Sequence, residues 1–356
     1  MSKLVVHIGM TIFLALVSGC SPIQPVMPPP TPTPTATVAP TPTLTPALAP
    51  RPTLFRGVNL GNYLEAPKGQ DWGYTLQPTH LALIAEAGFD HVRVPIRWSD
   101  YALEDPPYTI EPAFFERVDA VVADALAHGL RVVINMHHYE QLMRLPREHK
   151  ARFLALWEQI AAHYAAQPPE LYFELLNEPN GALTPQLWNE FAAEAIAVVR
   201  RSNPNRTLVI GTADWGGIYP LYYLELPDDP NLIITYHYYY PFEFTHQGAE
   251  WVEGSSAWLA RTWDGTPEEV RAVANDMDYA LLWAQRKGWR LWMGEFGAYS
   301  RADMASRARW TYSVAREAEK RGIGWAYWEF GAGFGVYDPA AGIWRQELLE
   351  ALIPPE

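Results

Sequence analysis

Two glutamates stand at the ends of apolar segments, where an unused charge is costly. Glu178 closes the segment LYFELLNE (171–178), and Glu295 follows the run RLWMG. A carboxylate buried behind such a run is unfavourable unless it is paired or takes part in chemistry. Two carboxylates that converge on one groove can cleave a glycosidic bond, because one protonates the leaving oxygen while the other stabilises or attacks the anomeric carbon. The sequence predicts this chemistry.

Other polar residues also follow apolar segments. They share a position at or just beyond the predicted end of a strand, and they are Asn59, Asn62, Glu65, Arg93, His137, His138, Asn177, His237, Tyr239, Trp328 and Glu329. We interpret the histidines as neutral donors to sugar hydroxyls. A metal site is the alternative, but neighbours on a strand point to opposite faces, so His137 and His138 cannot both bind one ion from regular geometry. We expect no metal and no cofactor.

Tryptophans divide into two groups by their context. Pyranose rings expose C–H faces that pack against indoles, and tryptophans in predicted loops or at strand ends suit this role: Trp215, Trp251, Trp258, Trp263 and Trp328. The long polar and aromatic segment 238–265, which contains His246, has the character of a substrate-shaping loop. Tryptophans within helical patterns are instead predicted to lie in the core: Trp157, Trp188 and Trp283.

Eight short apolar segments must position these residues. They are FRGVNLG (55–61), HVRVPI (91–96), RVVINMHH (131–138), LYFELLNE (171–178), TLVIGT (207–212), NLIITYHY (231–238), RLWMGEF (290–296) and GWAYWEF (324–330). Amphipathic segments with apolar residues at three- and four-residue intervals lie between them, which predicts helices. Pro112 and Pro185 stand near helix starts, and Gly88 and Gly129 near helix ends.

This alternation predicts an α/β fold. Eight βα units with continuously apolar strands indicate a (β/α)₈ TIM barrel in which the active site lies at the carboxyl ends of the strands. A doubly wound open sheet is the alternative, but it usually carries a glycine-rich phosphate loop after its first strand, and GVNLGNYLEAP does not supply one. We therefore expect a single catalytic domain over residues 53–356.

The first 52 residues have a different composition. Residues 1–20 contain Lys3, a short apolar stretch and small residues, which is typical of an export signal. Cys20, the only cysteine in the chain, follows Val-Ser-Gly in an arrangement that resembles a bacterial lipobox; an ordinary signal peptide is the alternative. Residues 21–52 hold 12 of the 32 prolines, which predicts an extended linker. The expected product is a secreted, cell-surface lipoprotein that reaches a membrane only through this anchor.

Net charge excludes one class of partner. The formal charge of −13 disfavours binding to nucleic acid and suits a neutral substrate. The expected partner is a β-linked polysaccharide or oligosaccharide, and the expected state is a monomer.

Several motifs together resemble glycoside hydrolase family 5. In chain order they are Arg93 within HVRVP, His137-His138, LLNEP, the His237-x-Tyr239 pair, GEFG around Glu295, and WAYWEF. Longer stretches such as NMHHYEQLM and PFEFTHQGAEWVEG resemble thermophilic bacterial endo-β-1,4-glucanases with accompanying mannanase activity. The resemblance covers residues 55–352.

The resemblance implies a role for each matching residue. Glu178 is expected to be the general acid/base, and Glu295 the nucleophile of a retaining mechanism. Residues expected to support them are Arg93, His137, His138, Asn177, His237, Tyr239 and Trp328. Sugar contacts further out are expected at Asn62, Glu65, His246, Trp251 and Glu329.

The implied activity is endo-acting cleavage of β-1,4 linkages in cellulose-type glucans and glucomannan, with mannans as further candidates. A dedicated β-mannanase or exo-β-glucosidase of the same fold, and a non-catalytic carbohydrate-binding protein, are the alternatives.

Overall fold

The computed structural model describes residues 53–355 of the chain. The predicted export signal (1–20), the lipidation site Cys20 and the predicted linker (21–52) lie outside the described residues. In the described range, no helix combines the length and apolar character that a membrane span requires.

Eight parallel strands close into a barrel in sequence order. They are β1 Arg56–Asn59, β2 His91–Val94, β3 Arg131–Asn135, β4 Leu171–Glu174, β5 Leu208–Gly211, β6 Leu232–Tyr238, β7 Arg290–Phe296 and β8 Gly324–Tyr327. β8 pairs with β1, so the sheet has no free edge. The predicted TIM barrel is confirmed, and the open doubly wound sheet is excluded.

Helices surround the barrel. They are α1 His80–Glu86, α2 Pro112–Ala127, α3 Glu140–Arg144, α4 Pro146–His163, α5 Pro185–Arg200, α6 Ala213–Gly216, α7 Phe242–Thr245, α8 Pro267–Lys287, α9 Met304–Lys320 and α10 Gln346–Leu352. A short hairpin, β9 Tyr337–Asp338 and β10 Ile343–Trp344, precedes α10. Pro112 and Pro185 open their helices as predicted, because proline lacks the N–H that a first turn leaves unpaired.

The fifth of the eight predicted βα units has no regular helix. Between β5 and β6 the chain forms only α6 and a 3₁₀ turn, Tyr219–Tyr223. Asp214 and Trp215 inside α6 have φ angles of 51° and 61°, so this segment is not a regular helix. Gly216, Gly217 and Pro220 follow at once, and glycine and proline both disfavour a continuing helix.

The barrel interior has two layers of different character. On β3 and β4, Val132 and Phe173 face the helices, whereas Val133 and Tyr172 belong to a separate apolar cluster. Since side chains alternate along a strand, this cluster fills the inside of the barrel. Its members are Leu54, Val133, Tyr172, Val209, Ile233, Trp292 and Ala326. The polar side chains of the site lie above it, towards the carboxyl ends of the strands.

Several strands end earlier than predicted. β3 ends at Asn135 and β4 at Glu174, so His137, His138 and Glu178 lie in the loops that follow. The chemistry-bearing side chains are therefore held by loop backbone as well as by strands. His138 and Glu178 have φ angles of 44° and 45°, a conformation that costs about 1–3 kcal/mol and that clusters at functional sites.

Candidate active site

Arg93 is the centre of a buried polar network at the carboxyl ends of the strands. Its Nη1 donates to Glu295 Oε1 at 2.6 Å and to Asn59 Oδ1 at 2.9 Å. Its Nε and Nη2 donate to the two oxygens of Glu174 at 2.6 and 2.7 Å, and Nη2 also donates to Asn177 Oδ1 at 2.7 Å. The Arg93 side chain is fully buried. Such charge-assisted bonds fix Glu295 and Asn177 in place.

Glu295 on β7 lies among groups that favour its ionised form. Tyr239 OH donates to Glu295 Oε2 at 2.9 Å, on the opposite side from Arg93. Burial and the charge of Glu178 raise the pKa of Glu295 above its ordinary value, and His237, Arg93 and the hydrogen bond from Tyr239 limit that rise. A carboxylate held by a guanidinium and a phenol is fixed in the orientation that a nucleophile needs.

Glu178 lies in a different environment. Its Oε1 is 2.7 Å from His237 Nδ1, and its side chain is 23% exposed, against 6% for that of Glu295. Burial raises the pKa of Glu178 to about 7, although Arg93 opposes the rise. Around neutral pH this carboxyl group can therefore hold a proton and release it, which a general acid/base must do.

The two glutamates meet as predicted. An oxygen of Glu178, an oxygen of Glu295 and a ring nitrogen of His237 lie within 4.8 Å of one another. These three residues are also the one group in the described range whose spacing could hold a metal ion. Arg93 argues against that use, because its guanidinium already neutralises Glu295 and would repel a cation.

His137 and His138 form one wall of the site. Asn135 Nδ2 lies 2.9 Å from His137 Nδ1, and the His137 ring is parallel to the Trp328 ring with centroids 5.9 Å apart. Burial lowers the pKa of His137, and it lowers the pKa of His138 to about 3. Both imidazoles are therefore neutral at neutral pH, and their hydrogen bonds to sugar hydroxyls stay a prediction.

The long loop after β6 forms another wall. His246 stacks on Phe242 at 4.1 Å and lies beside Tyr239, and Trp251 is 60% exposed in the same aromatic group. Asn62, in the loop after β1, donates to the carbonyl of Trp72. Sugar contacts by Asn62, His246 and Trp251 stay predictions, since these contacts are within the protein.

Glu65 and Glu329, which were expected to contact sugar, lie away from the surface of the site. Both residues are fully buried. Glu65 accepts from the backbone N–H groups of Asn62 and Tyr63, and Glu329 accepts from those of Gly331, Ala332 and Phe334. These carboxylates hold the loops after β1 and β8, because loop N–H groups need acceptors when they leave water.

Sequence reasoning missed Glu174 and misjudged Trp263. Glu174 lies within LYFELLNE, four residues before Glu178, and a charge inside such an apolar run was the signal that could have identified it. Trp263 is 1% exposed and lies in the core rather than in a groove. Trp157, Trp188 and Trp283 are buried as predicted.

Comparison with known proteins identifies the family of the chain. The family model of cellulases, glycosyl hydrolase family 5, matches residues 51–333, which include both glutamates and the Arg93 network. The chain belongs to glycosyl hydrolase family 5. The family resemblance inferred from the motifs is thus confirmed.

Curated relatives of this family 5 chain are cellulases. Endoglucanase H of Acetivibrio thermocellus is 34% identical over 306 residues, and the match covers 84% of this chain and 33% of that protein. Cellulase/esterase CelE of the same organism is 29% identical, with 80% of this chain and 36% of that protein covered. The chain thus spans about a third of the length of these two relatives.

Solved structures in the family are closer. Thermotoga maritima Cel5A in complex with mannotriose is 52% identical, with a TM-score of 0.83 and with 85% of this chain and 98% of that chain covered. The same protein in complex with cellobiose is 53% identical, with the same TM-score and coverage. A hyperthermophilic endo-β-1,4-glucanase in complex with substrate is 41% identical, with a TM-score of 0.83 and with 85% and 97% covered.

Proposed function

We propose that this protein is an endo-β-1,4-glucanase that retains anomeric configuration. The observation that carries the proposal is the pairing of Glu178 and Glu295, whose environments separate their roles. Arg93 and Tyr239 contact Glu295, whereas Glu178 has no cation in direct contact among the described residues and has a pKa of about 7. Glu295 is the nucleophile and Glu178 the acid/base.

Two steps follow from these roles. Glu295 attacks the anomeric carbon while Glu178 gives its proton to the leaving oxygen, so the glycosidic bond breaks and a glycosyl-enzyme forms. Glu178, now ionised, then takes a proton from water, and the water oxygen displaces Glu295. Esterification of Glu295 removes its charge, which lowers the pKa of Glu178 for this second step.

The spacing of the carboxylates supports retention. Retaining enzymes keep the two groups roughly 5–5.5 Å apart, whereas inverting enzymes leave about 6.5–9.5 Å for a water molecule. An oxygen of Glu178 and an oxygen of Glu295 approach within 4.8 Å. This separation is below the range of the inverting enzymes.

The substrates that we propose are cellulose-type glucans and glucomannan, and also mannans. The similarity to Thermotoga maritima Cel5A, which has been solved with cellobiose and with mannotriose, supports both classes. A parallel rate comparison on carboxymethylcellulose, glucomannan, β-mannan, lichenan and xylan ranks them. Endo action predicts a rapid fall in viscosity per bond cut, whereas an exo-β-glucosidase releases monosaccharide from the start.

The central test is azide rescue of Glu295→Ala with an activated aryl β-cellobioside. Removing the nucleophile leaves space for azide on the same face, so we expect an α-configured glycosyl azide. Glu178→Ala should give the β-configured product, because azide then attacks the glycosyl-enzyme. The exposed Glu158→Ala is the control and should hydrolyse normally. An unaffected Glu295→Ala enzyme would refute the assignment.

We also propose that the chain is exported and anchored by a lipid on Cys20, and that it acts as a monomer. The motif around Cys20 and the proline-rich composition of residues 21–52 support the first proposal.

A further inference from the structure

Asn135, the last residue of β3, has a side-chain amide whose orientation is fixed by the backbone. The residue is fully buried, and its Oδ1 accepts from the N–H of Ile96 at 3.1 Å. Since a backbone N–H can only donate, the atom that faces it must be the amide oxygen and not the amide nitrogen. The NH₂ group on the other branch of the amide is therefore the group that lies 2.9 Å from His137 Nδ1.

This contact decides which nitrogen of His137 carries the proton. An amide NH₂ group only donates, so His137 Nδ1 must accept with its lone pair and cannot itself hold a hydrogen. Burial lowers the pKa of His137 well below its ordinary value, and His138 and Arg93 act in the same direction. The ring is therefore neutral at neutral pH and holds a single proton. Because Nδ1 accepts, that proton is on Nε2.

The Nε2 atom of His137 is available to a ligand. No hydrogen bond from a described residue reaches it, and it is not among the described side-chain atoms that are both fully buried and unpaired. The atom is therefore open to the groove, although His137 as a whole is only 2% exposed. The ring lies parallel to that of Trp328, and Arg93 and His237 both act on its pKa, so this opening belongs to the candidate active site.

We propose that Asn135 is a positioning residue that fixes the Nε2–H tautomer of His137, so that this N–H donates to a hydroxyl of the bound sugar. The proposal rests on the proposed glycanase function, which supplies the sugar. A hydroxyl that accepts from Nε2 keeps its own proton for a second partner. A ring with its proton on Nδ1 would instead present a lone pair and take up that proton. A donor of fixed orientation also needs no reorganisation when the substrate enters.

The position of the proton can be observed directly by nitrogen NMR on enzyme with isotope-labelled histidine. In wild type, we expect the His137 signal to show a proton on Nε2 and none on Nδ1, and the loss of that signal in His137→Met assigns it. The diagnostic variant is Asn135→Asp, which keeps an acceptor for the Ile96 N–H but presents a carboxylate oxygen to His137. Because a carboxylate only accepts, Nδ1 should gain a proton in this variant.

Kinetics connect the proton to substrate binding. On an aryl β-cellobioside, Asn135→Asp should lose roughly tenfold in kcat/KM, the size of about one neutral hydrogen bond. His137→Gln retains an N–H donor, whereas His137→Met has a similar size and none, so His137→Gln should be the faster of the two. The control is Asn203→Asp. This asparagine is also buried, but it lies before β5, at the opposite ends of the strands, and should leave kcat/KM unchanged.

Four results would overturn the proposal. They are a proton on Nδ1 in wild type, an Nδ1 that stays unprotonated in Asn135→Asp, a wild-type kcat/KM in Asn135→Asp, and equal rates of His137→Gln and His137→Met. The proposed function fails separately, through a wild-type enzyme that cleaves no β-glycan. The NMR measurement needs no substrate, so it still locates the proton in that case.

Discussion

His237 on β6 pairs with Glu295 on β7, one residue out of the register that the two strands keep from Ile233 to Tyr236. The additional residue is Gly294, which forms a β-bulge. Bulges re-aim side chains near active sites. If the register of the earlier residues continued, His237 would pair with Gly294. The Glu295 carboxylate would then not lie beside the His237 imidazole, which also contacts Glu178. The register shift thus brings Glu295 to its partners Arg93, Tyr239 and His237.

Gly294→Ala should damage catalysis more than folding. A Cβ at this position would lie 2.6 Å from Thr235 Oγ1 and 3.2 Å from Trp292 Cζ3, and we expect the bulge to shift and to move Glu295 with it. We expect kcat to fall by about 10- to 100-fold, since small misplacements of reacting groups have effects of this size.

Thr235→Ala supplies the control for that variant. The Thr235 hydroxyl is buried without a hydrogen-bond partner, so its removal breaks no polar contact. The double variant Thr235→Ala/Gly294→Ala should regain a large part of the lost kcat, because the clash is gone. Equal activity of Gly294→Ala and the double variant would contradict this account.

The pH dependence of kcat/KM should report on Glu178. The group must be protonated to act as an acid, and its pKa is about 7, so activity should fall as the pH rises through about 7. A substrate with a 2,4-dinitrophenyl leaving group needs no protonation, and its first step should lose this limb. A basic limb near the ordinary glutamate pKa of about 4.5 would show that burial does not control this group.

Glu174→Gln should shift that basic limb to lower pH. Glu174 raises the pKa of Glu178 through its charge and shares Arg93 with Glu295, so its neutralisation lowers the pKa of Glu178. We expect kcat to fall about tenfold or more. Arg93 donates two hydrogen bonds to the Glu174 carboxylate, and these bonds are lost or weakened when the carboxylate is replaced by a neutral amide. The control is Glu170→Gln, an exposed glutamate just before β4. A reduced kcat with an unchanged pH profile would indicate a structural role alone.

Glu329→Gln should change how stability depends on pH. Burial raises the pKa of Glu329 to about 7, so between about pH 4.5 and 7 the folded chain binds more protons there than the unfolded chain. The contribution of this group to the free energy of unfolding therefore falls as the pH rises through that window. The variant should show a smaller fall between pH 5 and 8 in urea titrations than wild type, whereas Glu158→Gln on the surface should match wild type.

Cys20→Ser should release the protein from the membrane fraction. If a lipid on Cys20 is the anchor, radiolabelled palmitate will enter the wild-type chain and not the variant. Cys20 is the only cysteine, so no other thiol can take the label. Equal membrane association of the two proteins would favour an ordinary signal peptide or another mode of attachment.

The barrel and the meeting of Glu178 with Glu295 were predictable from the sequence because both depend on periodicity. Apolar runs followed by a carboxylate singled out Glu178, four residues beyond the end of β4, and Glu295, one residue before the end of β7, and the alternation with helices then placed both over one mouth. Arg93 could be found in the same way, as a charge within HVRVP.

Features that depend on three-dimensional packing were not predictable. Glu65 and Glu329 end apolar or loop segments just as Glu178 does, and only the structure shows that their oxygens are used by backbone N–H groups. The absence of a regular helix between β5 and β6 follows from Gly216, Gly217 and Pro220, which disfavour helix. In a short segment, packing can override such local preferences, so these residues alone did not predict the outcome. The bulge at Gly294 leaves no mark in a hydrophobic pattern.

The apolar cluster inside the barrel affects how water reaches the site. Below Arg93, the interior is filled by Tyr172, Trp292 and Leu54, and His91 lies over Gly57 so closely that a methyl group there would be 2.2 Å from its Nε2. Because these side chains fill the described interior below the site, we expect water to reach it from the carboxyl ends of the strands. The water molecule that releases the sugar must arrive through the same opening by which the first product departs, so hydrolysis and departure of that product are coupled in time.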